Sequence, residues 1–260
     1  MRKYVFVTAA LALSGGPALG YLGSVITSYP APSASPVAIA KPNAFLNVFC
    51  DSGRGMIYRL NSLSGSVEGS FGAVAGTQCR GLAYSTDSHG NHLWQGKISY
   101  PYMVFDTYVL TGSIYRSWPL NNTYERGLAP FCTGDGGSGT TRLFTCDYNA
   151  HRIYERRLDT GSIYHSVVFP ANVQMYDIAW DWRNRLLWGG MNSPYIYGIN
   201  RLGSLVASFP SPAGLPYGIA YGSYMLYIGT CSDHRIWRVH CPDTIGVEPA
   251  SIGRTKAALR

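Results

Sequence analysis

Few residues in this 260-residue chain have the type and spacing that chemistry demands. Glycoside hydrolysis needs two carboxylates facing one cleft, and Asp177 with Glu125 is the pair that the sequence offers. Asp177 replaces a Gly that recurs elsewhere, and Asp181 follows it in Ala179-Trp180-Asp181-Trp182. Such an acid could bind a cation or a sugar hydroxyl, or serve as a hydrogen-bonded structural Asp. Glu125 and Arg126 precede Gly127 in a comparable place, and Arg80 precedes Gly81. Asp177, Glu125, Arg126 and Arg80 are therefore the candidate ligand-binding residues.

Other constellations are incomplete. His89 and His92 lie three apart, but a metal wants further ligands, and the reading is an exposed hairpin loop. Gly134-Asp135-Gly136-Gly137-Ser138-Gly139 carries one carboxylate where calcium wants several oxygens, and it lacks the Lys of a phosphate-binding loop. It reads as a mobile loop. No Gly-x-Ser-x-Gly elbow marks a serine hydrolase. No metal or cofactor is expected, no catalytic residue is assigned, and the absence of a coherent catalytic set argues against an enzyme.

Composition narrows the classes. Only 13% of residues are charged and 46% are hydrophobic, ample for a core and unlike a disordered tail. Thirty Gly, 15 Pro and 20 Tyr point to many turns and strands. The formal charge of +7 falls to about +3 once Arg2, Lys3 and the basic C-terminal residues are set aside. No basic stripe remains, so nucleic acid is not expected as a partner.

The elements that must position these residues repeat. A Gly-Ser-apolar step recurs at Gly65-Ser66-Val67, Gly112-Ser113-Ile114, Gly161-Ser162-Ile163 and Gly203-Ser204-Leu205. Phe71, Trp118 and Phe209 each stand six residues after that Gly, and Pro follows at Pro119 and Pro210. A second anchor recurs at Gly81-Leu82-Ala83, Gly127-Leu128-Ala129, Asp177-Ile178-Ala179 and Gly218-Ile219-Ala220. Pairs such as Leu187-Trp188 and Ile196-Tyr197 mark two further strands. Four short strands about every 41 to 50 residues spell a β-propeller blade.

This pattern resembles the repeats of secreted bacterial β-propellers of the NHL and YVTN kind. The expected fold is all-β, a propeller of five four-stranded blades, with six blades or an open array as alternatives. Pro36-Val37-Ala38-Ile39-Ala40 can supply the inner strand of the first unit, whereas no segment is evident for the outer strand of the last.

Residues 1–20 read as a signal peptide, 21–44 as a linker, 45–241 as the propeller and 242–260 as a C-terminal tail. No span is expected after cleavage. Six Cys in an exported chain suggest disulfides, and six allow fifteen connectivities. The expected pairs are Cys50 with Cys79, Cys132 with Cys146, and Cys231 with Cys241. The repeated Asp of Cys50-Asp51, Cys146-Asp147 and Ser232-Asp233 reads as turn chemistry. The functional expectation is a secreted, periplasmic or cell-surface binding module for a protein or carbohydrate. The alternative is a propeller hydrolase or lyase acting on a carbohydrate or lactone at the central channel. The tail is a possible attachment point to the cell envelope.

Overall fold

The computed structural model describes residues 21–242, except 43–45, 88–89, 121–123, 135–136, 172, 174 and 191–192. The expected signal peptide and all but the first residue of the expected tail lie outside the described residues. Among the described residues no helix is long and apolar enough to cross a membrane.

Among the described residues, twenty strands form five antiparallel sheets of four. The chain opens with β1 (Val25–Pro30). Blade 1 is β2 (Pro36–Ala40), β3 (Leu46–Asp51), β4 (Met56–Asn61) and β5 (Val67–Gly72). Blade 2 is β6 (Cys79–Asp87), β7 (Gly90–Lys97), β8 (Met103–Tyr108) and β9 (Ile114–Pro119). Blade 3 is β10 (Glu125–Phe131), β11 (Arg142–Asp147), β12 (Arg152–Arg157) and β13 (Ile163–Val168). Blade 4 is β14 (Asp177–Asp181), β15 (Leu186–Gly190), β16 (Tyr195–Asn200) and β17 (Leu205–Pro210). Blade 5 is β18 (Pro216–Gly222), β19 (Met225–Thr230) and β20 (Arg235–His240), with β1 as its outer strand. The five inner strands β2, β6, β10, β14 and β18 touch in a closed ring.

Burial follows from this radial order. Inner strands face the axis and second strands lie between neighbouring blades, so β14 and β15 are buried along their whole length. Outer strands alternate or stay exposed, as in β5 and β9. Trp94 and Trp188 have no exposed surface, and truncating such rings typically costs about 3–5 kcal/mol.

The Gly-Ser step has a physical reason. Gly65 turns from β4 into β5 with φ +74°, and a Cβ there would collide with the ring of Tyr29 in blade 5. Gly112 meets Phe71 and Gly161 meets Trp118 in the same way. These three turn glycines each seat the outer aromatic of the preceding blade, whereas Gly203 meets the Val168 backbone.

The same rule exposes what the sequence reading missed. Gly23-Ser24-Val25 is another copy of the step, with Tyr29 six residues on and Pro30 behind it. Gly23 sits against Phe209 of blade 4. In β1, Tyr29 pairs with Ile236, as Phe71 pairs with Ile57 in blade 1. The segment 21–44, expected as a linker, therefore holds the strand that closes blade 5 and, in β2, the inner strand of blade 1.

The cysteines depart from the expected pairing: all six are free thiols. Cys146 faces Gly127 near the start of β10, whereas Cys132 follows its end, about 17 Å away at strand rise. Cys231 follows β19 at its hairpin turn, and Cys241 bonds through its N–H to Tyr224 before the opposite end of β19. A disulfide tolerates about 7 Å between Cα atoms, so the register excludes both pairs. Cys50 and Cys79 do meet, thiol to thiol, between blades 1 and 2.

Candidate ligand-binding face

The site is built by a repeated irregularity. At the start of β2, β6, β10 and β18 the register slips by one residue, at Val37, Arg80, Arg126 and Tyr217. A β-bulge re-aims the extra residue and bends its strand. Tyr176, just before β14, holds the matching place in blade 4. One face of the propeller thus presents two arginines and two tyrosines from successive blades, all half-buried.

Arg126 is the centre of this face. Its guanidinium lies 4.6 Å from the Tyr148 ring and 4.5 Å from the Tyr176 ring, and these two rings stack at 4.6 Å. Tyr124 meets Tyr148 edge-on at 5.6 Å. Arg126 Nη2 reaches the Tyr148 hydroxyl only at 3.5 Å, and its buried Nε has no hydrogen-bond partner among the described residues. Arg80 Nη1 donates to the carbonyls of Thr77 and Cys79 at 3.2 and 3.0 Å. Neither arginine is ion-paired among the described residues. Burial pushes the Tyr176 hydroxyl pKa up, and Arg126 pulls it partly back.

Asp177 lies below this face on the axis, 1% exposed. Its Oδ2 accepts the Ile219 N–H of blade 5 at 3.0 Å. The amides of Ile178, Ile39 and Leu128 also favour its charged form, while burial outweighs them and drives its pKa well up. Inner strands have no further strand on their axial side, so their N–H groups need another acceptor. Asp177 Oδ2 supplies it for Ile219, while Oδ1 is buried and makes no hydrogen bond among the described residues. Where blade 3 has Gly127 instead, a Cβ would press on the Tyr176 carbonyl oxygen at 2.7 Å.

Glu125 does not share that space. It is 2% exposed and turned into blade 3, where Arg156 Nη2 donates to Oε1 at 2.5 Å and Arg156 Nε to Oε2 at 3.0 Å. Thr145 donates to the same Oε2 at 2.5 Å, and Arg156 Nη1 holds the Gly161 carbonyl at 2.7 Å. Glu125 and Arg156 are a buried structural pair. Asp177 and Glu125 form no open carboxylate couple.

The remaining expectations resolve similarly. His89 lies outside the described residues. His92 belongs to β7 rather than to an exposed loop: it is fully buried, with Nδ1 2.8 Å from Asp106, which also accepts Arg116 Nε at 2.8 Å. The repeated Asp does turn work. Asp51 Oδ1 accepts the Gly53 N–H at 2.8 Å, and Asp147 Oδ1 accepts those of Asn149 and Ala150 at 3.0 and 2.9 Å. Of the glycine loop, Gly137 rests on the backbone of Tyr84 and Ser85, and Ser138 bridges to Thr86. These contacts pin its described part against blade 2 at the far end of the channel, correcting the expected mobile loop. The cavity there holds only about 30 Å³, room for about two waters.

No protein-family model and no curated protein sequence matches this chain. The structure is similar to that of glutaminyl cyclase from Myxococcus xanthus, with a TM-score of 0.65. That match is 14% identical and covers 84% of this chain and 95% of the other. The likeness is one of fold. A streptogramin B lyase structure matches at 18% identity with a TM-score of 0.46, covering 83% of this chain and 73% of the other.

Proposed function

We propose that the protein is an exported binding module of the NHL/YVTN-like propeller kind, which takes an anionic carbohydrate or peptide on the Arg126 face. One observation carries this reading: Arg126 lies against the stacked pair Tyr148 and Tyr176, 4.6 and 4.5 Å from their ring centroids, without a carboxylate partner among the described residues. These ring contacts hold the guanidinium in place, and its N–H groups suit a carboxylate or sulfate. The Tyr rings add flat, amphipathic contact area suited to a sugar ring or a peptide side chain. Export, and attachment through residues 242–260, rest on the sequence alone.

The alternative, a hydrolase or lyase, needs two or more carboxylates or histidines converging at the channel mouth. Asp177 is buried at 1% exposure and bound to the Ile219 amide, and Glu125 is held by Arg156, which counts against it. At 14% identity, the cyclase likeness carries no residue across to this chain.

A glycan and peptide array with the full chain tests the proposal. Acidic ligands are expected to dominate, with at least tenfold weaker binding by Arg126→Ala, about 1.4 kcal/mol. Equal binding of neutral ligands, or an unaffected variant, would overturn it.

A further inference from the structure

The opposite face carries a second feature. There the inner strands end, and a groove of about 570 Å³ opens between blades 3 and 4. That volume lies within the range of about 300–1,000 Å³ usual for small-molecule sites. Its wall in blade 3 includes Phe131, the last residue of β10. Its wall in blade 4 includes Trp180 of β14, Trp182, Arg183 and Arg185 from the turn after it, and Arg201 from the turn after β16. None of the lining residues is acidic.

Two of the three guanidinium groups are held over rings. Arg201 lies 4.7 Å over Phe131, and Arg183 lies 4.5 Å from Trp182 and 3.9 Å from Tyr224. Arg185 is exposed at φ +56°, a left-handed turn position that swings it away from the strand direction. Arg201 Nη2 donates to Glu155 Oε2 at 2.6 Å, but Glu155 gives its other oxygen to Arg142. One buried carboxylate is thus shared by two arginines, and the groove keeps a positive surplus. The buried Arg201 Nε is without a hydrogen-bond partner among the described residues. Asp181, in the same turn as Arg183, is fully buried and consumed by the amides of Arg183 and Asn184 and by the Trp188 ring nitrogen. It faces none of its charge into the groove through those bonds.

We propose that this groove binds a small organic anion in which a phosphate or carboxylate is joined to a ring. The oxyanion is met by the N–H edges of Arg185 and Arg201, planar donors that suit two-point recognition. The ring lies against Trp182 and the Arg183 guanidinium face. The site is separate from the Arg126 face and stands or falls independently of it.

Calorimetry and Trp fluorescence with the full chain test this. The probes are AMP and glucuronate, which join ring and oxyanion, with adenosine and inorganic phosphate as the halves of the first and glucose and acetate as those of the second. AMP, glucuronate or both are expected to bind saturably, at least tenfold tighter than either half; which of them binds tells phosphate from carboxylate. Arg185→Gln, an exposed change that leaves the Glu155 pair intact, is expected to weaken that binding at least fivefold, and Trp182→Leu likewise. Arg126→Ala is expected to leave it unchanged. Thermal melts of each variant within a few degrees of the parent secure the comparison. No saturable binding of AMP or glucuronate up to 10 mM overturns the proposal. So does equal binding of phosphate alone, or full retention in both Arg185→Gln and Trp182→Leu.

Discussion

Replacing Asp177 separates two opposing terms at the propeller axis. The carboxyl is 1% exposed and accepts the Ile219 amide at 3.0 Å, with the amides of Ile178, Ile39 and Leu128 acting on it as well. In Asp177→Ala at least one buried N–H loses its acceptor, at a cost of about 1–3 kcal/mol. Asp177→Asn keeps an acceptor oxygen and removes the ionisation. Because burial raises the folded pKa well above the ordinary carboxylate value near 4, the native state binds the proton more tightly than the unfolded chain. This contribution is fully present below the unfolded pKa and is lost as pH rises through the folded pKa. Within that window it falls by about 1.4 kcal/mol per pH unit. Urea melts from pH 4 to pH 8 are therefore expected to show the parent losing stability relative to Asp177→Asn as pH rises. Asp177→Ala should lie below Asp177→Asn throughout, by about 1–3 kcal/mol. Parallel pH profiles for the parent and Asp177→Asn, or an Ala variant as stable as the Asn variant, would refute the reasoning.

Three further outcomes follow from the packing. Tyr29→Ala removes the ring that seats on Gly65 and is expected to lower stability by about 3–5 kcal/mol in chemical denaturation, with loosening confined at first to β1. Glu125→Ala strands the buried Arg156 and is expected to cost about 3–5 kcal/mol without changing ligand preference on the Arg126 face, as melts and binding curves will check. Mild oxidation is expected to join Cys50 to Cys79 and to leave the other four thiols free, seen as a 2 Da loss by intact mass and abolished by Cys50→Ser.

What was readable in the sequence depended on whether a local rule produced it. The Gly-Ser turns were legible because a left-handed turn against a ring demands Gly wherever it recurs, at Gly65, Gly112 and Gly161. The same rule marked Gly23 and Tyr29, but a Pro-, Ala- and Ser-rich setting hid them. Their partner strand, β20, also lies at the far end of the chain. Asp177 stood out because it broke a Gly pattern, and its burial on the axis explains the break. Glu125 was misleading because its partner, Arg156, is reached only through the blade's third strand. Two of the three expected cysteine pairs failed because Cys132 and Cys146, and Cys231 and Cys241, each stand at the end of their own strand, and antiparallel strands end at opposite sides of the sheet. The groove arginines escaped notice because Arg183, Arg185 and Arg201 come from two different turns of blade 4.

The central claim is that the Arg126 face binds and does not transform its ligand. Its most direct test is to incubate the full chain with the tightest array ligand, measuring the affinity by calorimetry and the ligand by mass spectrometry. The account predicts saturable binding, a ligand recovered unchanged, and at least tenfold loss of affinity in Arg126→Ala. Time-dependent conversion of the ligand, or affinity indifferent to Arg126, would contradict it.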